Sequence, residues 1–335
     1  MEKFWKEKRV LITGATGLVG SWLTKRLLEE NSYVVAFVRD SDPQSEFFKS
    51  GIYKNTTLVQ GELENFLSVE RAINEHEIDT VFHLGAQTIV GTALRSPLST
   101  FESNIRGSYN LLEACRRHSS LVKRVVVASS DKAYGSSDIL PYTEEMPLCG
   151  KHPYDVSKSC TDLLAFSYYH TYGLPLAVAR CGNIFGGGDL NWSRIIPGTI
   201  RSFHLNEAPV IRSDGTFTRD YVFVDDVIDA YLMLAQNVHR ENVQGQAFNF
   251  GPNAPSSVLD IVKLLQNLMN RPNLNPKVLN IAKAEIHDQS LSSQKARETF
   301  GWEPRYGLEK GLIETIRWYE NYFESSTPMV AHDVR

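Results

Sequence analysis

Short runs of apolar and β-branched residues alternate with longer amphipathic segments through the first half of this chain. The apolar runs predict strands at residues 10–12, 34–38, 57–60, 80–84, 125–129 and 176–180. The segments between them are long enough to form helices. Strands that alternate with helices are typical of a parallel sheet covered on both faces. Residues 1–182 therefore predict one doubly wound α/β domain.

The pattern changes after Gly186, Gly187 and Gly188, so we expect a smaller region of mixed α/β structure at residues 183–324. The pattern there predicts helices at 192–205, 225–236, 258–270 and 308–323, and short strands at 220–224 and 247–250. Some of this chain is expected to return to the first domain. Residues 325–335 are expected to form a loose tail.

Composition and charge narrow the expected partners. The chain has 335 residues, 42% of them hydrophobic, which is enough for a large core. Its 35 basic and 39 acidic residues are interspersed and leave a net charge of −4, so neither nucleic acid nor a membrane is an expected partner. No apolar run can span a bilayer and no apolar signal core opens the chain, so we expect a cytoplasmic protein.

The cysteines and histidines do not indicate a metal site. The four cysteines include no C-x-x-C pair, and none of the nine histidines has H-x-x-x-H spacing. We therefore expect no bound metal and reduced cysteines that serve in packing.

A glycine-rich turn joins the first predicted strand to an amphipathic segment at 21–28. Gly14, Gly17 and Gly20 are spaced as G-x-x-G-x-x-G. A strand that turns through glycines into a helix directs backbone N–H groups and the positive end of the helix towards one point, where a pyrophosphate can sit. The turn therefore predicts a dinucleotide site.

Tyr154 and Lys158 stand four residues apart in a helical segment, so their side chains share a face. An ammonium at that place favours the phenolate and is expected to lower the pKa of Tyr154, which makes the phenol usable as a general base. Ser130 lies at the carboxyl edge of the predicted sheet, where doubly wound folds keep their ligands. Its hydroxyl can hydrogen-bond a substrate hydroxyl that Tyr154 deprotonates.

The glycine turn, Ser130, Tyr154 and Lys158 together resemble the extended short-chain dehydrogenase/reductases, the branch of nucleotide-sugar epimerases and dehydratases. The resemblance covers nearly the whole chain and includes segments 83–87, 104–107, 180–186, 219–226 and 301–304. It implies a Rossmann doubly wound parallel sheet with a smaller mixed α/β substrate-binding domain. It also implies a nicotinamide cofactor and a nucleotide-sugar substrate.

The same resemblance implies roles for individual residues. The cofactor positions that it implies are Gly14, Thr16, Gly17, Leu18, Val19, Glu62, Leu63, Leu84, Ala86, Asn104, Tyr154 and Lys158. Of these, Glu62 and Leu63 would lie beside the adenine, with a plain loop position as the alternative for Glu62. The substrate positions that it implies are Gln87, Asn183, Arg194 and Arg219. The guanidinium of Arg219 can bind the diphosphate of the substrate with two parallel hydrogen bonds. For Arg194, the alternative is an ordinary surface position.

Asp131 and Lys132 follow Ser130 directly, and this pair favours one reaction within the branch. The pair resembles the acid and base of CDP-glucose 4,6-dehydratases and of dehydratases that modify UDP-N-acetylglucosamine. Once carbon 4 of the sugar is a ketone, the proton on carbon 5 is acidic, and a neutral Lys132 can remove it. A protonated Asp131 can donate to the hydroxyl leaving carbon 6. Both roles need pKa values shifted from the ordinary ones.

The leading hypothesis is therefore a 4,6-dehydratase acting on a UDP- or CDP-hexose. A second uses Lys132 for inversion at carbon 5, or for processing a 5,6-unsaturated sugar in a route similar to pseudaminic acid synthesis. A 4-epimerase or 4-reductase is a further alternative. The last alternative is a protein without enzymatic activity that senses a cofactor and interacts with other proteins.

The end of the second predicted strand bears on the choice of cofactor. Arg39 can pair with the 2′-phosphate of NADP, whereas Asp40 can bind the ribose hydroxyls of NAD, and the expectation leans to NADP. The resemblance also implies a homodimer formed through the two helices that flank the site. Leu163 and Leu164 are compatible with that interface and equally with an internal core.

Overall fold

The computed structural model describes residues 4–282 and 285–326, and parallel strands form its centre. The strands are β1 (Arg9–Thr13), β2 (Tyr33–Val38), β3 (Thr57–Gln60), β4 (Thr80–His83), β5 (Arg124–Ser130), β6 (Leu176–Cys181), β7 (Asn183–Phe185), β8 (Val210–Ile211), β9 (Thr218–Arg219), β10 (Tyr221–Phe223), β11 (Ala247–Phe250), β12 (Ser256–Ser257) and β13 (Lys277–Val278).

Helices and short turns of other helical types connect these strands. The helices are α1 (Leu18–Glu29), α2 (Glu46–Lys49), α3 (Phe66–Glu75), α4 (Val90–Arg95), α5 (Pro97–Phe101), α6 (Gly107–Arg117), α7 (Pro153–Tyr172), α8 (Ile195–His204), α9 (Val224–Asn237), α10 (Val258–Leu268), α11 (Gln294–Phe300) and α12 (Leu308–Ser326). A π-helical turn, Glu102–Arg106, joins α5 to α6. Single 3₁₀ turns lie at Ile52–Asn55 and Asp131–Tyr134.

Within the described ranges, seven strands form one parallel sheet in the order β11-β6-β5-β4-β1-β2-β3. The register places Leu11 of β1 opposite Val35 of β2 on one side and Val81 of β4 on the other. The strand order reverses between β1 and β4, and such a switch point opens a crevice at the carboxyl ends of the strands. This arrangement confirms the predicted Rossmann doubly wound α/β fold.

The sheet is covered on both faces because its strands alternate between two apolar sets. Val10 and Ile12 face a core shared with α1 and α9, whereas Leu11 faces a core shared with α3, α6 and α7. Leu111 on α6 is fully buried there, and burial of one leucine is worth about 1.5–3 kcal/mol. Leu163 on α7 is 58% exposed instead.

Strand β11 lies far along the chain yet completes the first sheet. It pairs in parallel with β6, with Phe248 opposite Ala179. The chain therefore returns to the first domain after building much of the second region. The predicted span of this strand, 247–250, matches the observed one.

Among its described residues, the second region has three two-stranded sheets, β7 with β10, β9 with β12 and β8 with β13. Helices α8, α10 and α12 enclose an apolar core that includes Phe185, Phe203 and Leu265. The predicted helix at 192–205 begins later, at Ile195, because residues 191–194 form a turn. Of the predicted tail, residues 325 and 326 belong to α12, and 327–335 lie outside the described residues.

Two observations concern membranes and metals. No helix among the described residues is long and apolar enough to cross a bilayer. In the same part of the chain, no group of three or more His, Cys, Asp or Glu side chains is placed to hold a metal ion.

Candidate functional site

A cleft of about 1290 Å³ lies at the carboxyl ends of the central strands, between the sheet and the second region. The sheet side contributes the glycine turn, the loop after β4 and the end of β5. The second region contributes Asn183, the loop 189–194, Arg212 and Arg219. The residues that the sequence assigned to a cofactor and a substrate thus meet largely in one cavity.

The glycine turn forms one wall of the cleft and is too tight for side chains. Gly14 has a positive φ of 70°, and a Cβ there would lie 2.9 Å from Cα of Gly85. A Cβ on Gly20 would collide with the carbonyl oxygen of Gly14, so α1 packs directly on the turn. Thr16, Gly17, Leu18 and Val19 line the cleft. The free N–H groups of the first turn of α1 are therefore available to an anion.

A buried histidine braces the loop that follows β4. His83 Nδ1 lies 3.0 Å from Thr13 Oγ1, and the backbone N–H groups of Leu84 and Gly85 donate to the same oxygen. Burial lowers the pKa of His83 to about 3, so the imidazole is neutral. This loop places Leu84, Ala86 and Gln87 in the cleft wall.

Asn104 lies behind that wall. Its Oδ1 accepts from the backbone N–H of Gln87 at 2.7 Å, and its Nδ2 donates to Gln87 O and Ser157 Oγ. It sits in the π-helical turn, and such turns are frequent at functional sites. Asn104 thus ties the Gln87 loop to α7, and its cofactor contact stays a prediction.

Ser130, Asp131 and Lys132 occupy the end of β5 and the 3₁₀ turn that follows it. Ser130 Oγ donates to Asp131 Oδ1 at 2.9 Å. Asp131 Oδ2 is buried and has no hydrogen-bond partner among the described residues. One carboxylate oxygen thus remains available for another group.

Lys132 lines the cleft beside Ser130 and is partly buried. Its Nζ donates to Gln289 Oε1 at 2.7 Å. Burial lowers the pKa of Lys132, and the charge of Arg219 lowers it further, whereas Asp131 raises it. A lysine in these surroundings gives up its proton more easily than an exposed one.

Tyr154 and Lys158 lie in the first two turns of α7, because Pro153 begins that helix. Lys158 Nζ donates to the backbone oxygen of Ala128 at 2.8 Å and lies 6.0 Å from the centre of the Tyr154 ring. Burial lowers the pKa of Lys158 to about 8. Ser130 lines the cleft together with Tyr154, and its side chain slightly lowers the pKa of Tyr154.

The pKa of Tyr154 differs from the expectation. Burial raises it above its ordinary value, and this effect outweighs the opposing ones. The largest effect that lowers it is the positive charge of Arg194, and not that of Lys158. The shared helix face was predicted, but the bond to Ala128 turns the Lys158 ammonium towards the backbone of β5.

Arg194 spans the cleft between its two sides. Its Nη1 donates to Asp189 Oδ2 at 2.8 Å, and its Nη2 reaches Thr88 Oγ1 at 3.4 Å. Asp189 is itself held, because its backbone oxygen accepts from the hydroxyl of Tyr319 on α12. The sequence proposed neither Thr88 nor Asp189 for this site.

Arg219 is almost fully buried and lines the cleft opposite the glycine turn. Its guanidinium donates to the backbone oxygens of Ile286 and His287 and lies 3.7 Å from a carboxylate oxygen of Glu285. Asn183, at the start of β7, also lines the cleft. Both residues stand where the second region closes over the sheet.

The far end of the cleft lies at the edge of the sheet, beyond β2. Arg39 and Asp40 line it and pair with each other, Nε to Oδ2 at 2.6 Å. Leu63 and Glu64 line it too, whereas Glu62 is exposed and points elsewhere on the surface. The adenine contact of Glu62 stays a prediction, and Glu64 is a cleft residue that the sequence did not indicate.

Comparison with known proteins agrees with this site. The sequence profile of the family described as GDP-mannose 4,6 dehydratase matches residues 11–315. The chain belongs to that family. Its relatives are sugar-nucleotide dehydratases and epimerases that use a nicotinamide cofactor, so the chain is an enzyme of this kind. The predicted resemblance is confirmed, and the non-enzymatic alternative loses its support.

Three family relatives show how closely the chain matches. CDP-glucose 4,6-dehydratase of Salmonella typhimurium is 29% identical over 98% of this chain and 95% of its own length. The solved UDP-glucose 4-epimerase of Thermotoga maritima, with UDP-glucose, is 28% identical, covers 94% of this chain and 99% of its own, and has a TM-score of 0.85. The dTDP-glucose 4,6-dehydratase of Bacillus anthracis, in complex with NAD, is 26% identical with a TM-score of 0.83, covering 95% and 98%.

Proposed function

We propose that this family member is a nucleotide-sugar 4,6-dehydratase. The observation that carries the proposal is that Ser130, Lys132 and Tyr154 line one cleft, while Asp131 is buried next to them and accepts a hydrogen bond from Ser130 Oγ. Lys132 is partly buried and has a lowered pKa, and Asp131 keeps one carboxylate oxygen without a partner among the described residues. A general acid and a general base are thus next to each other where the sugar would lie.

The first step is oxidation at carbon 4. The phenolate of Tyr154 accepts the proton of the carbon-4 hydroxyl while Ser130 hydrogen-bonds the same oxygen. Because burial raises the pKa of Tyr154, its phenolate is scarce but strongly basic, and the Arg194 charge favours its formation. A nicotinamide held by the glycine turn and by Tyr154 and Lys158 would supply the hydride acceptor for carbon 4 and the hydride donor for carbon 6.

The second step removes water across carbons 5 and 6. Neutral Lys132 takes the proton from carbon 5, and the carbon–oxygen bond at carbon 6 breaks as a double bond forms. Asp131 acts as the general acid for the departing hydroxyl, which leaves as water. Lys132 then returns its proton to carbon 5 when the double bond is reduced.

The residues on the sheet side fit a dinucleotide. A side chain at Gly14 or Gly20 would fill the space between the turn, the helix and the loop after β4, which leaves backbone N–H groups as the lining for a pyrophosphate. We propose NAD as the cofactor, although the sequence leaned to NADP. The Asp40 carboxylate already neutralises Arg39 and would repel a 2′-phosphate.

The proposed substrate is a UDP- or CDP-hexose held across the cleft. Arg219 and Arg194 supply guanidinium groups for the diphosphate, and Asn183 and Gln87 supply amides. The Salmonella relative is named for CDP-glucose, and the Thermotoga one is solved with UDP-glucose. A homodimer is proposed through α6 and α7, whose exposed Tyr109 and Leu163 are available to a second copy.

The direct test is to incubate the enzyme with CDP-glucose, UDP-N-acetylglucosamine or dTDP-glucose and to follow loss of water by mass spectrometry. Lys132→Met is expected to abolish that loss while reduced nicotinamide still forms, because oxidation at carbon 4 does not need Lys132. Lys123→Met, at an exposed lysine, is the matched control and should leave product formation unchanged. No water loss from any nucleotide sugar would refute the proposal.

The same assay separates the second candidate. Lys132 can return a proton to either face of carbon 5, so inversion there is chemically open to this site. Deuterium incorporation at carbon 5 with an inverted product would favour the epimerising route. Formation of a 4-epimer without water loss would make the enzyme a 4-epimerase.

A further inference from the structure

Gln289 is fully buried and touches the proposed base from the second region. Its Oε1 accepts the hydrogen bond from Lys132 Nζ at 2.7 Å, across 157 positions of sequence. Its position is fixed by its neighbours, because the Gln289 backbone N–H donates to Thr218 O and the Thr218 hydroxyl donates to Asp288. The backbone that carries the acceptor is therefore held in place.

The acceptor is neutral, although four charged groups surround Lys132. The carboxylates of Asp131, Asp155 and Glu285 favour the ammonium, and the guanidinium of Arg219 disfavours it. The hydrogen bond of Nζ goes to none of these carboxylates. An amide oxygen can accept from an amine as well as from an ammonium, and it favours the ammonium much less than a carboxylate at that distance would.

The other end of the Gln289 amide indicates that this contact has a function. Its Nε2 is buried and has no hydrogen-bond partner among the described residues. A buried donor without a partner is destabilising, and in native proteins such groups occur at functional sites. The amide is therefore oriented so that Oε1 accepts from Lys132, although this orientation leaves Nε2 without a hydrogen-bond partner among the described residues.

We propose that Gln289 is a positioning residue that aims Lys132 Nζ at the substrate through a neutral acceptor and so lets it act as an unprotonated base. The inference rests on the proposed dehydratase function. One N–H of Lys132 is directed to Gln289, which leaves the nitrogen lone pair free for the proton of carbon 5. Gln289 does not line the cleft and acts through Lys132.

The test compares the wild-type enzyme with Gln289→Glu, in full-length protein whose lysines carry carbon-13 at Cε. Lys132→Met identifies the Lys132 resonance. The carboxylate is expected to raise the pKa of Lys132 by at least about one unit in the NMR titration. Gln244→Glu makes the same chemical change at the turn before β11 and should leave that titration unchanged.

A kinetic readout accompanies the titration. In Gln289→Glu the pH profile of water loss is expected to shift upward by the same amount, while formation of reduced nicotinamide keeps its profile. Gln289→Met preserves volume without the acceptor, and it is expected to slow water loss at least ~10-fold with KM within about twofold.

The outcomes separate this inference from the proposed function. An unchanged Lys132 titration in Gln289→Glu overturns the positioning role of Gln289. The titration needs no substrate turnover, so this outcome does not depend on the dehydratase proposal. If Gln289→Glu does not fold, unchanged water loss in Gln289→Met overturns the role instead. Absence of product from wild-type enzyme overturns the dehydratase proposal, whereas the titration still decides whether Gln289 governs protonation of Lys132.

Discussion

Arg180 and Asp162 form an ion pair, Nη2 to Oδ1 at 2.9 Å, that is almost completely buried between β6 and α7. The pair reaches the catalytic turn from two sides. Asp162 accepts from the hydroxyl of Ser129, and Arg180 donates to the hydroxyl of Tyr134 at 2.8 Å. These contacts hold the ends of the segment that carries Ser130, Asp131 and Lys132.

Removing one partner should therefore destabilise the folded enzyme. Asp162→Ala leaves the Arg180 charge buried without compensation and is expected to lower the free energy of unfolding by about 3–5 kcal/mol. Urea denaturation measures this loss. Glu75→Ala, which removes an exposed pair with Arg71, is the control and should stay within error of the wild type. A loss for Asp162→Ala as small as that of the control would contradict the argument.

The packing of α1 on the glycine turn predicts a second effect. In Gly20→Ala the added methyl group would meet the carbonyl oxygen of Gly14 and displace the helix. We expect a loss of about 1–3 kcal/mol in stability and a rise of at least about tenfold in the Kd for NAD. Gly307→Ala is the matched control, because a Cβ there has no neighbour within 4 Å. Unchanged NAD affinity by fluorescence titration would show that the helix end is not needed.

Lys158 predicts how stability depends on pH in the cofactor-free enzyme. Burial lowers its pKa from 10.5 to about 8, so between these pH values the unfolded chain holds a proton that the folded chain has released. The free energy of unfolding therefore increases with pH between these two values, and Lys158 contributes about 3 kcal/mol to that increase. Below pH 8 the contribution of Lys158 does not change with pH.

The difference in unfolding free energy between wild type and Lys158→Met isolates that contribution. As the pH increases from 8 to 10.5, the unfolding free energy of the wild type should increase relative to that of Lys158→Met. Lys123→Met, at an exposed lysine, should show no such trend. A pH-independent difference for Lys158→Met would mean that Lys158 is protonated as easily in the folded chain as in the unfolded one.

Arg194 predicts a change in the pH profile of carbon-4 oxidation. Its charge lowers the pKa of Tyr154, so Arg194→Met should raise that pKa and move the profile to higher pH, by up to about one unit. Stopped-flow measurement of reduced nicotinamide gives the profile. Arg201→Met removes an arginine from the neighbouring helix α8 and is the control. Equal profiles for the two variants would assign Arg194 to substrate binding alone.

Much of the fold follows from local patterns. The predicted strands at 34–38, 80–84 and 176–180 are observed with ends shifted by one residue, because period-two and continuous apolar runs mark buried strands directly. The glycine turn was likewise predictable from the sequence, because its motif depends only on residues that are close together in the chain.

The candidate site was predictable where its residues belong to short motifs. Ser130, Lys132, Tyr154 and Lys158 all line one cleft, as the resemblance implied. Glu62 does not, because the loop after β3 turns it to the surface and turns Glu64 inward. A loop without periodicity does not reveal which side chain faces a cavity.

The sequence by itself determined the elements, the dinucleotide turn and the set of reactive side chains. Only the tertiary structure decided which groups surround them: Gln289 lies beside Lys132, and Arg194 rather than Lys158 is the cation acting on Tyr154. It also decided that β11 pairs at the edge of the first sheet. The reason is physical. Periodicity and turns arise from interactions between near neighbours, whereas burial and charge at a site arise from residues that folding brings together from distant parts of the chain.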